Sequence, residues 1–515
     1  MGRREGRLTL AVELTGRGVT ADDVVAVARG GAQVRLGDEA RGAMEASARI
    51  VAELAASDQP AYGVSTGFGS LATVVIPEAR REELQRALVR SHSAGMGPPV
   101  EREVVRAMMF LRARTLAMGY SGARPEVVEA ILGLLNAGIT PVVPEHGSLG
   151  ASGDLAPLAH CALALIGEGR VHDADGALRT AAEAGVEPIT LTAKEGLALI
   201  NGTDGILGML VLALEDLDRV LRGADVAAAM SVEALLGTDR AFDENLVALR
   251  PQPGQALSAA NLRRLLAGSA IVASHREGDP RVQDAYSLRC APQVTGAARD
   301  AVAYARGVAA NELAAAIDNP MVMPDGRVAS CGNFHGAPLA HACDFLAIVA
   351  ADVGAIAERR TDRLLDASRS HGLPPFLTAD PGVSSGLMIA QYTQAAMVAE
   401  NRRLAAPASV DTVPTSAMQE DHVSMGWGAA RKLRAAVANL ARIVAVEVVA
   451  AGHGLDLRAP LAPAAGTGAA LAALRERVAG PGPDRELAPD LAAAEDLVAS
   501  GALLAAVTDA IGGLA

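Results

Sequence analysis

Apolar residues recur at helical spacing over most of the C-terminal half of the chain. Four patterns of this kind cover about 297–317, 338–366, 385–404 and 421–457. The last pattern contains no proline and would reach roughly 50 Å if unbroken, at about 1.5 Å per residue. Asp318-Asn319-Pro320 stops the first pattern, and a proline- and glycine-rich break at 480–484 precedes a short terminal helix. Helices of such length pack side by side, so the pattern predicts a long-helix bundle.

The N-terminal part has a different pattern. Short apolar runs at 8–14 and 32–36 predict strands, and a helix is predicted from Pro125 to Asn136 because proline favours the first turn of a helix. Prolines and glycines then cluster between residues 141 and 159, which predicts a tight, irregular loop. The sequence therefore predicts a mainly α protein. We expect residues 1–205 to form an N-terminal region carrying this loop and residues 206–515 to form the helix bundle and C-terminal helices, with both parts working as one unit.

Composition narrows the class of protein. Half of the 515 residues are apolar and only 2% are aromatic, which suits helix packing through small and aliphatic side chains. The formal net charge of −13 argues against nucleic acid or an anionic membrane as a partner. We find no secretory signal and no uncharged apolar stretch of about 18 residues, so a cytoplasmic protein is expected. The cysteines lack the spacing of a disulfide scaffold and are expected to be reduced: Cys161, Cys290, Cys331 and Cys343.

The segment Gly150-Ala151-Ser152-Gly153-Asp154 carries the candidate chemistry. Ser152 or Asp154 could simply cap a helix that begins near Leu155. Alternatively, a sharp bend lets a backbone nitrogen attack a carbonyl two residues earlier, and Gly153 permits such a bend. Loss of the Ser152 hydroxyl as water would then leave a five-membered imidazolone with an electrophilic methylidene.

The string GSLGASGDLAPLAH (147–160) resembles the signature of the aromatic amino-acid ammonia-lyase family. Further strings resemble the family in the same order along nearly the whole chain: YGVSTGFG (62–69), VRSHSAGMG (89–97), EGLALINGT (195–203), VQDAYSLRCAPQV (282–294), NFHGAP (333–338), ERRTDRLLD (358–366), SGLMIAQYTQ (385–394) and PTSAMQEDHVSMG (414–426). The resemblance implies an ammonia-lyase/fumarase-like helical fold. It also implies a 4-methylidene-imidazol-5-one (MIO) formed from Ala151-Ser152-Gly153, no external cofactor, and a homotetramer whose active sites use more than one subunit.

The resemblance also implies residue roles. Tyr62 would be the base that takes the β-proton; because a free phenol titrates near ~10, cationic groups such as Arg289 would favour its phenolate. Arg289 would bind the substrate carboxylate through its planar guanidinium. Without a catalytic role, Tyr62 would simply pack against a glycine-rich turn, and Arg289 would form a structural salt bridge. The remaining implied roles belong to residues that orient the amine and polarise the imidazolone carbonyl (Asn201, Gln283 and Tyr286), that pack against the substrate (Phe334) and that assist cyclisation (Asp154).

Two positions bear on the substrate. His92, in a Ser-His pair, can hydrogen-bond an imidazole, although some tyrosine-specific members share this pair. Glu420 stands where phenylalanine- and tyrosine-specific members typically have an amide, and its carboxylate can accept a hydrogen bond from an imidazole N–H. The expected reaction is therefore conversion of L-histidine to trans-urocanate and ammonia. Glu420 could also be a helix-start carboxylate, and it is the alternative to Tyr62 as base. Met418 replaces an asparagine that is common in histidine-specific members.

Other functions compete with this expectation. A tyrosine-type lyase or aminomutase is the serious rival, and a catalytically silent helical protein is disfavoured because the implied catalytic residues occur together. Residues 63–67 match the G-x-S-x-G serine-hydrolase pattern, but the helical second half does not supply the required sheet. Cys331 and His335 lack a second pair with metal-ligand spacing, so no metal is expected. No dinucleotide-binding or nucleotide-binding motif is present either, so such a site is not expected.

Overall fold

The computed structural model describes residues 11–57, 65–67 and 73–515. By their contacts the residues form two compact units, each built from several stretches of the chain. Unit 1 comprises Met1–Leu212, Arg306–Cys343 and Ala408–Arg431. Unit 2 comprises Ala213–Ala305, Asp344–Pro407 and Lys432–Ala515.

Helices make up most of the described chain. Their bounds are Ala21–Ala28, Asp38–Ala55, Arg81–His92, Arg102–Ala117, Pro125–Asn136, Leu155–Leu165, Glu195–Ile200, Asp204–Ala234, Glu244–Ala248, Pro253–Leu266, Ala270–Ala273, Tyr286–Arg289, Ala291–Leu313, Ala337–Leu365, Met388–Leu404, Gly426–Asp456, Ala465–Arg475, Ala488–Ala499 and Ala502–Ile511. The predicted mainly α class is confirmed. The helix at Pro125–Asn136 has the predicted bounds, with proline in its first turn.

The strands of the described residues are short. Their bounds are Val12–Leu14, Val34–Leu36, Met96–Pro99, Thr140–Pro141, Pro144–His146, Arg170–His172, Leu178–Thr180, Met321–Val322 and Val328–Ala329. The first two are parallel, with Val12 opposite Val34, and fall within the runs predicted as strands. The other paired strands are antiparallel.

The four predicted long helices are present with shifted ends. Ala291–Leu313 begins about six residues before the prediction, and Gly426–Asp456 begins five residues after it. The delay arises because Met425 has a φ of +55°, which a right-handed helix does not accommodate. The 31-residue helix Asp204–Ala234 is a further long helix that was not predicted.

Two of the long helices are markedly apolar. By length and composition, Ala337–Leu365 and Gly426–Asp456 would each be able to cross a membrane. The bent pair Ala488–Ala499 and Ala502–Ile511 passes the same test together. However, 61% and 78% of the most apolar windows of the two long helices are buried inside the protein. Their apolar side chains therefore serve largely in helix packing.

The core of unit 1 surrounds helix Arg102–Ala117, which is buried from Val104 to Ala117. Buried arginines on this helix satisfy backbone carbonyls that reach it from distant segments. Arg106 donates to the carbonyls of Val27 and Leu135. Such bonds are needed because a buried guanidinium without acceptors is costly.

The core of unit 2 contains a charged contact. Arg360 donates to both carboxylate oxygens of Glu447, at 2.5 and 2.8 Å, and both side chains are almost fully buried. Ser231 Oγ donates to the same carboxylate at 2.7 Å. The additional bond helps to offset the cost of burying the two charges.

Candidate active site

The loop before helix Leu155–Leu165 is sharply bent. Gly150, Ser152 and Gly153 have φ values of +82°, +51° and +80°, which lie in a backbone region that residues other than glycine rarely adopt. A Cβ at Gly153 would overlap the backbone carbonyl of Gly202, and a Cβ at Gly150 would overlap the Ser424 hydroxyl. The two glycines therefore allow a close backbone approach that holds the intervening residues in place.

Asp154 is fully buried directly after this loop. It accepts hydrogen bonds from the Ser148 hydroxyl at 3.0 Å and from the backbone N–H groups of Gly205 and Ile206 at 2.9 Å. Burial raises the pKa of Asp154 to about 7, although these donors oppose the shift. Ser148 also donates to the Gly153 carbonyl at 3.3 Å. Asp154 is thus a carboxyl that exchanges a proton near neutral pH and is connected to the loop.

One cavity in unit 1 contains four of the predicted site residues. It has a volume of about 550 Å³ and is lined by His92, Ser152, Asn201 and Glu420. Its apolar wall is formed by Val74, Ile76, Leu84, Leu88, Leu155, Leu197 and Ile200. A few polar groups converging on an apolar cavity are typical of a small-molecule site.

A second cavity of unit 1 shares some of these residues. It has a volume of about 430 Å³, and Ala151, Ser152, Phe334 and Glu420 line it. The rings of His335 and His422 stack in its wall, with centroids 5.7 Å apart. Ser152 and Glu420 line both cavities, so the candidate electrophile and the candidate specificity residue border the same space.

His92 lies at the end of helix Arg81–His92 and is half-buried. Its Nδ1 is 3.0 Å from the Leu88 carbonyl, which favours a hydrogen on Nδ1 and leaves the lone pair on Nε2. Burial lowers the pKa of His92, whereas the Leu88 carbonyl and the Glu420 carboxylate oppose that shift. The neutral ring is therefore favoured at physiological pH.

Glu420 is positioned by an unusual turn. Thr415 and Glu420 form an antiparallel bridge, and Thr415 Oγ1 donates to Glu420 Oε2 at 2.7 Å. Between them Ser416, Ala417 and Met418 have φ values of +50°, +51° and +71°. Left-handed conformations cost non-glycine residues about 1–2 kcal/mol each. Met418 itself is 68% exposed, so the departure from asparagine there changes a surface residue of this chain.

Asn201 is 2% exposed and has both of its amide hydrogens engaged. Nδ2 donates to Asp318 Oδ1 at 3.0 Å and to the Asn319 carbonyl at 2.8 Å. Asp318 in turn contacts Lys194, with 2.6 Å between Nζ and Oδ2. Asp318 was predicted only as part of a helix stop, and Lys194 was not among the predicted site residues. Lys194 and Asp318 are 124 residues apart, and no local sequence pattern indicates such a contact.

Three predicted site residues belong to unit 2. Gln283 and Arg289 line a cavity of about 440 Å³ whose walls come from unit 2. Arg289 stacks on the Tyr286 ring, with 4.4 Å from Cζ to the centroid, and Tyr286 is 71% exposed. Stacking of this kind is a favourable cation–π contact between the guanidinium and the ring face.

Two sequence predictions fall on parts of the chain that are not described. Tyr62, the predicted base, lies outside the described residues, as do Gly63 and Val64 of the serine-hydrolase pattern. Of the remainder of that pattern, Thr66 forms an antiparallel bridge with Val75.

Comparison with known proteins adds independent information. A model of the aromatic amino acid lyase family matches residues 19–476. A relative from Streptomyces avermitilis named histidine ammonia-lyase is 62% identical, with 97% of this chain and 98% of the relative covered. The crystal structure of histidine ammonia-lyase from Trypanosoma cruzi has a TM-score of 0.89 at 40% identity, covering 98% of this chain and 96% of that one. A tyrosine aminomutase from Streptomyces globisporus has a TM-score of 0.92 at 38% identity, with 97% and 99% covered.

Proposed function

Because this chain belongs to the aromatic amino acid lyase family, we propose that it removes ammonia from L-histidine and releases trans-urocanate. The observation that carries the substrate assignment is the cavity that Ser152, His92 and Glu420 line together. An imidazole can donate a hydrogen bond to the Glu420 carboxylate, whereas a phenyl ring cannot. The activity expected from the sequence agrees with the names of the relatives.

The proposal includes an MIO group formed from Ala151-Ser152-Gly153. The bent loop fits such a group, because the positive φ values of Ser152 and Gly153 mark a sharp bend at the tripeptide and Gly153 has no Cβ to obstruct its close packing against Gly202. Asp154, with a pKa of about 7, is placed to move protons during cyclisation. When formed, the group would supply an electrophile for the substrate's amino group.

The remaining residues of this cavity bind and orient the substrate. Glu420 accepts from one imidazole nitrogen, and its other contact with Thr415 keeps the carboxylate in place. His92 can use its Nε2 lone pair toward an imidazole N–H. Phe334 provides an apolar surface beside Ser152. Tyr62 is the proposed base for the β-proton, and Glu420 is the alternative.

We also propose a homotetramer in which Gln283, Tyr286 and Arg289 complete the active site of another subunit. One feature supports this assignment: Tyr286 is largely exposed in the single chain, so its ring is available to another subunit. Arg289 would then bind the substrate carboxylate with a guanidinium already aligned by Tyr286. The enzyme is proposed to act in the cytoplasm, without external cofactor, metal, nucleic acid or membrane.

Ultraviolet assays of the purified protein with L-histidine, L-tyrosine and L-phenylalanine test the proposal. Urocanate from L-histidine alone is the expected result. Coumarate from L-tyrosine would instead favour a tyrosine-type lyase and would contradict the role given to Glu420 in substrate choice.

A further inference from the structure

We propose that Lys194 and Asp318 are positioning residues that fix the side-chain amide of Asn201, so that Asn201 Oδ1 faces the cavity as a hydrogen-bond acceptor for the substrate's amino group. The identity of that substrate rests on the function proposed above. All three residues belong to unit 1.

The Lys194–Asp318 pair is completely enclosed. The two side chains are 0% and 1% exposed, and 2.6 Å separates Nζ from Oδ2. Lys194 Nζ also donates to the Ser121 carbonyl at 3.0 Å. Asp318 Oδ1 accepts from the backbone N–H of Asn319 at 2.7 Å. These further bonds matter because a buried ion pair is tolerated only when its remaining donors and acceptors are also satisfied.

The surroundings of Asn201 determine which way its amide points. Its Nδ2 faces the Asp318 carboxylate and the Asn319 carbonyl, and both of these groups can only accept hydrogen bonds. Rotating the amide by half a turn would bring Oδ1 against two acceptors, and each of them would lose the hydrogen bond that Asn201 donates. The ion pair therefore selects one orientation, because Lys194 stabilises Asp318 as a charged acceptor.

Arg112 binds the backbone of the two segments that carry Asn201 and Asp318. It is 1% exposed, and its Nη1 donates to the Asn201 carbonyl at 2.7 Å, while Nη2 donates to the Ile317 carbonyl at 2.9 Å. One rigid guanidinium thus fixes the segment that carries Asn201 and the segment that leads into Asp318.

The selected orientation leaves Asn201 Oδ1 as the free end of the amide. Within the described part of the chain this buried oxygen has no hydrogen-bond partner, and Asn201 lines the cavity together with Ser152. A buried acceptor without a donor is unfavourable until a ligand supplies one. An ammonium or amine supplies an N–H, whereas an imidazolone carbonyl supplies none. Of the two roles that the family resemblance implies for Asn201, this orientation favours contact with the amine.

Ligand binding to the oligomeric Ser152→Ala protein, which cannot form MIO, tests the inference without catalysis. Calorimetry would compare L-histidine with 3-(imidazol-4-yl)propionate, which lacks only the amino group. In this background, Lys194→Met combined with Asp318→Asn removes both charges. An asparagine at 318 can offer either its oxygen or its nitrogen to Asn201, so the Asn201 amide is no longer confined to one orientation. We expect L-histidine affinity to fall by about tenfold or more, with affinity for the propionate unchanged.

Glu312→Gln is the matched control. Glu312 is also a largely buried carboxylate of unit 1, and it accepts from the Thr203 hydroxyl at 2.6 Å. We expect this variant to leave the affinities for both ligands unchanged. Equal weakening of both ligands by the Lys194/Asp318 variant would indicate a merely structural role, and undiminished L-histidine affinity would also overturn the inference.

A second measurement does not depend on the ligand or on the folding of the variants. Crystallographic data to about 1.2 Å or better, or neutron data, distinguish Nδ2 from Oδ1 of Asn201. Nδ2 facing Asp318 is expected, and Oδ1 facing Asp318 would refute the inference. If the Ser152→Ala protein with an intact ion pair did not bind L-histidine, the amide orientation would decide the role of the pair, and the ultraviolet assays of the native protein would decide the substrate separately.

Discussion

Replacing Glu420 with glutamine should specifically reduce the activity of the protein toward L-histidine. The substitution preserves size, and the amide oxygen can still accept from Thr415 Oγ1, which lies 2.7 Å from the carboxylate in the native chain. The cavity then faces an N–H donor where it had a charged acceptor. A hydrogen bond to a charged group contributes about 1.5–3 kcal/mol, so kcat/KM for L-histidine should fall by about 10- to 150-fold.

The assay follows urocanate formation over a range of L-histidine concentrations. Asp411→Asn serves as the control, because Asp411 is an exposed carboxylate in the same segment and lines neither unit 1 cavity described above. We expect the control to retain native kcat/KM. If Glu420→Gln also kept native kcat/KM for L-histidine, the account of substrate choice would be wrong.

Three further perturbations test other parts of the account. Burial raises the pKa of Asp154 from 3.8 to about 7, so the folded state favours the protonated carboxyl. The stability that this preference contributes is therefore lost as the pH rises from about 4 to 7. When Tm is measured against pH, Asp154→Asn should lack this decline. Arg360→Met leaves the buried Glu447 carboxylate unpaired and should lower the free energy of unfolding by about 3–5 kcal/mol; denaturation that matches the native protein would contradict the importance of that pair. Mixing inactive Ser152→Ala and Arg289→Ala chains after dissociation should restore about a quarter of the activity if each site uses two subunits, whereas no recovery would argue against shared sites.

The fold was largely predictable because its signals are local. Helical periodicity predicted the long helices, and the clustered prolines and glycines predicted the loop around Ser152. Helix ends were less predictable. The helix predicted from about residue 421 begins only at Gly426, because Met425 has a positive φ that the apolar pattern does not reveal. Family resemblance, rather than periodicity, suggested the site residues, and the structure brings His92, Ser152, Asn201 and Glu420 to one cavity.

The supporting contacts could not be predicted. Lys194 and Asp318 are far apart in sequence, and neither belongs to a pattern whose spacing implies a contact. The turn that positions Glu420 uses left-handed residues without a single glycine from 416 to 418, so turn propensities do not indicate it. The proposed role of Arg289 would require a second copy of the chain, and no pattern within one sequence predicts such a contact.

In the proposed function the chain makes its own electrophile from Ala151-Ser152-Gly153. Intact mass spectrometry of the denatured protein, alongside Ser152→Ala, shows whether this cyclisation takes place. Cyclisation and dehydration predict that the native chain lacks the mass of two water molecules, whereas the variant, which has no hydroxyl at residue 152 to eliminate, falls short of its own sequence mass by one water at most. A native chain with its full sequence mass would contradict the claim.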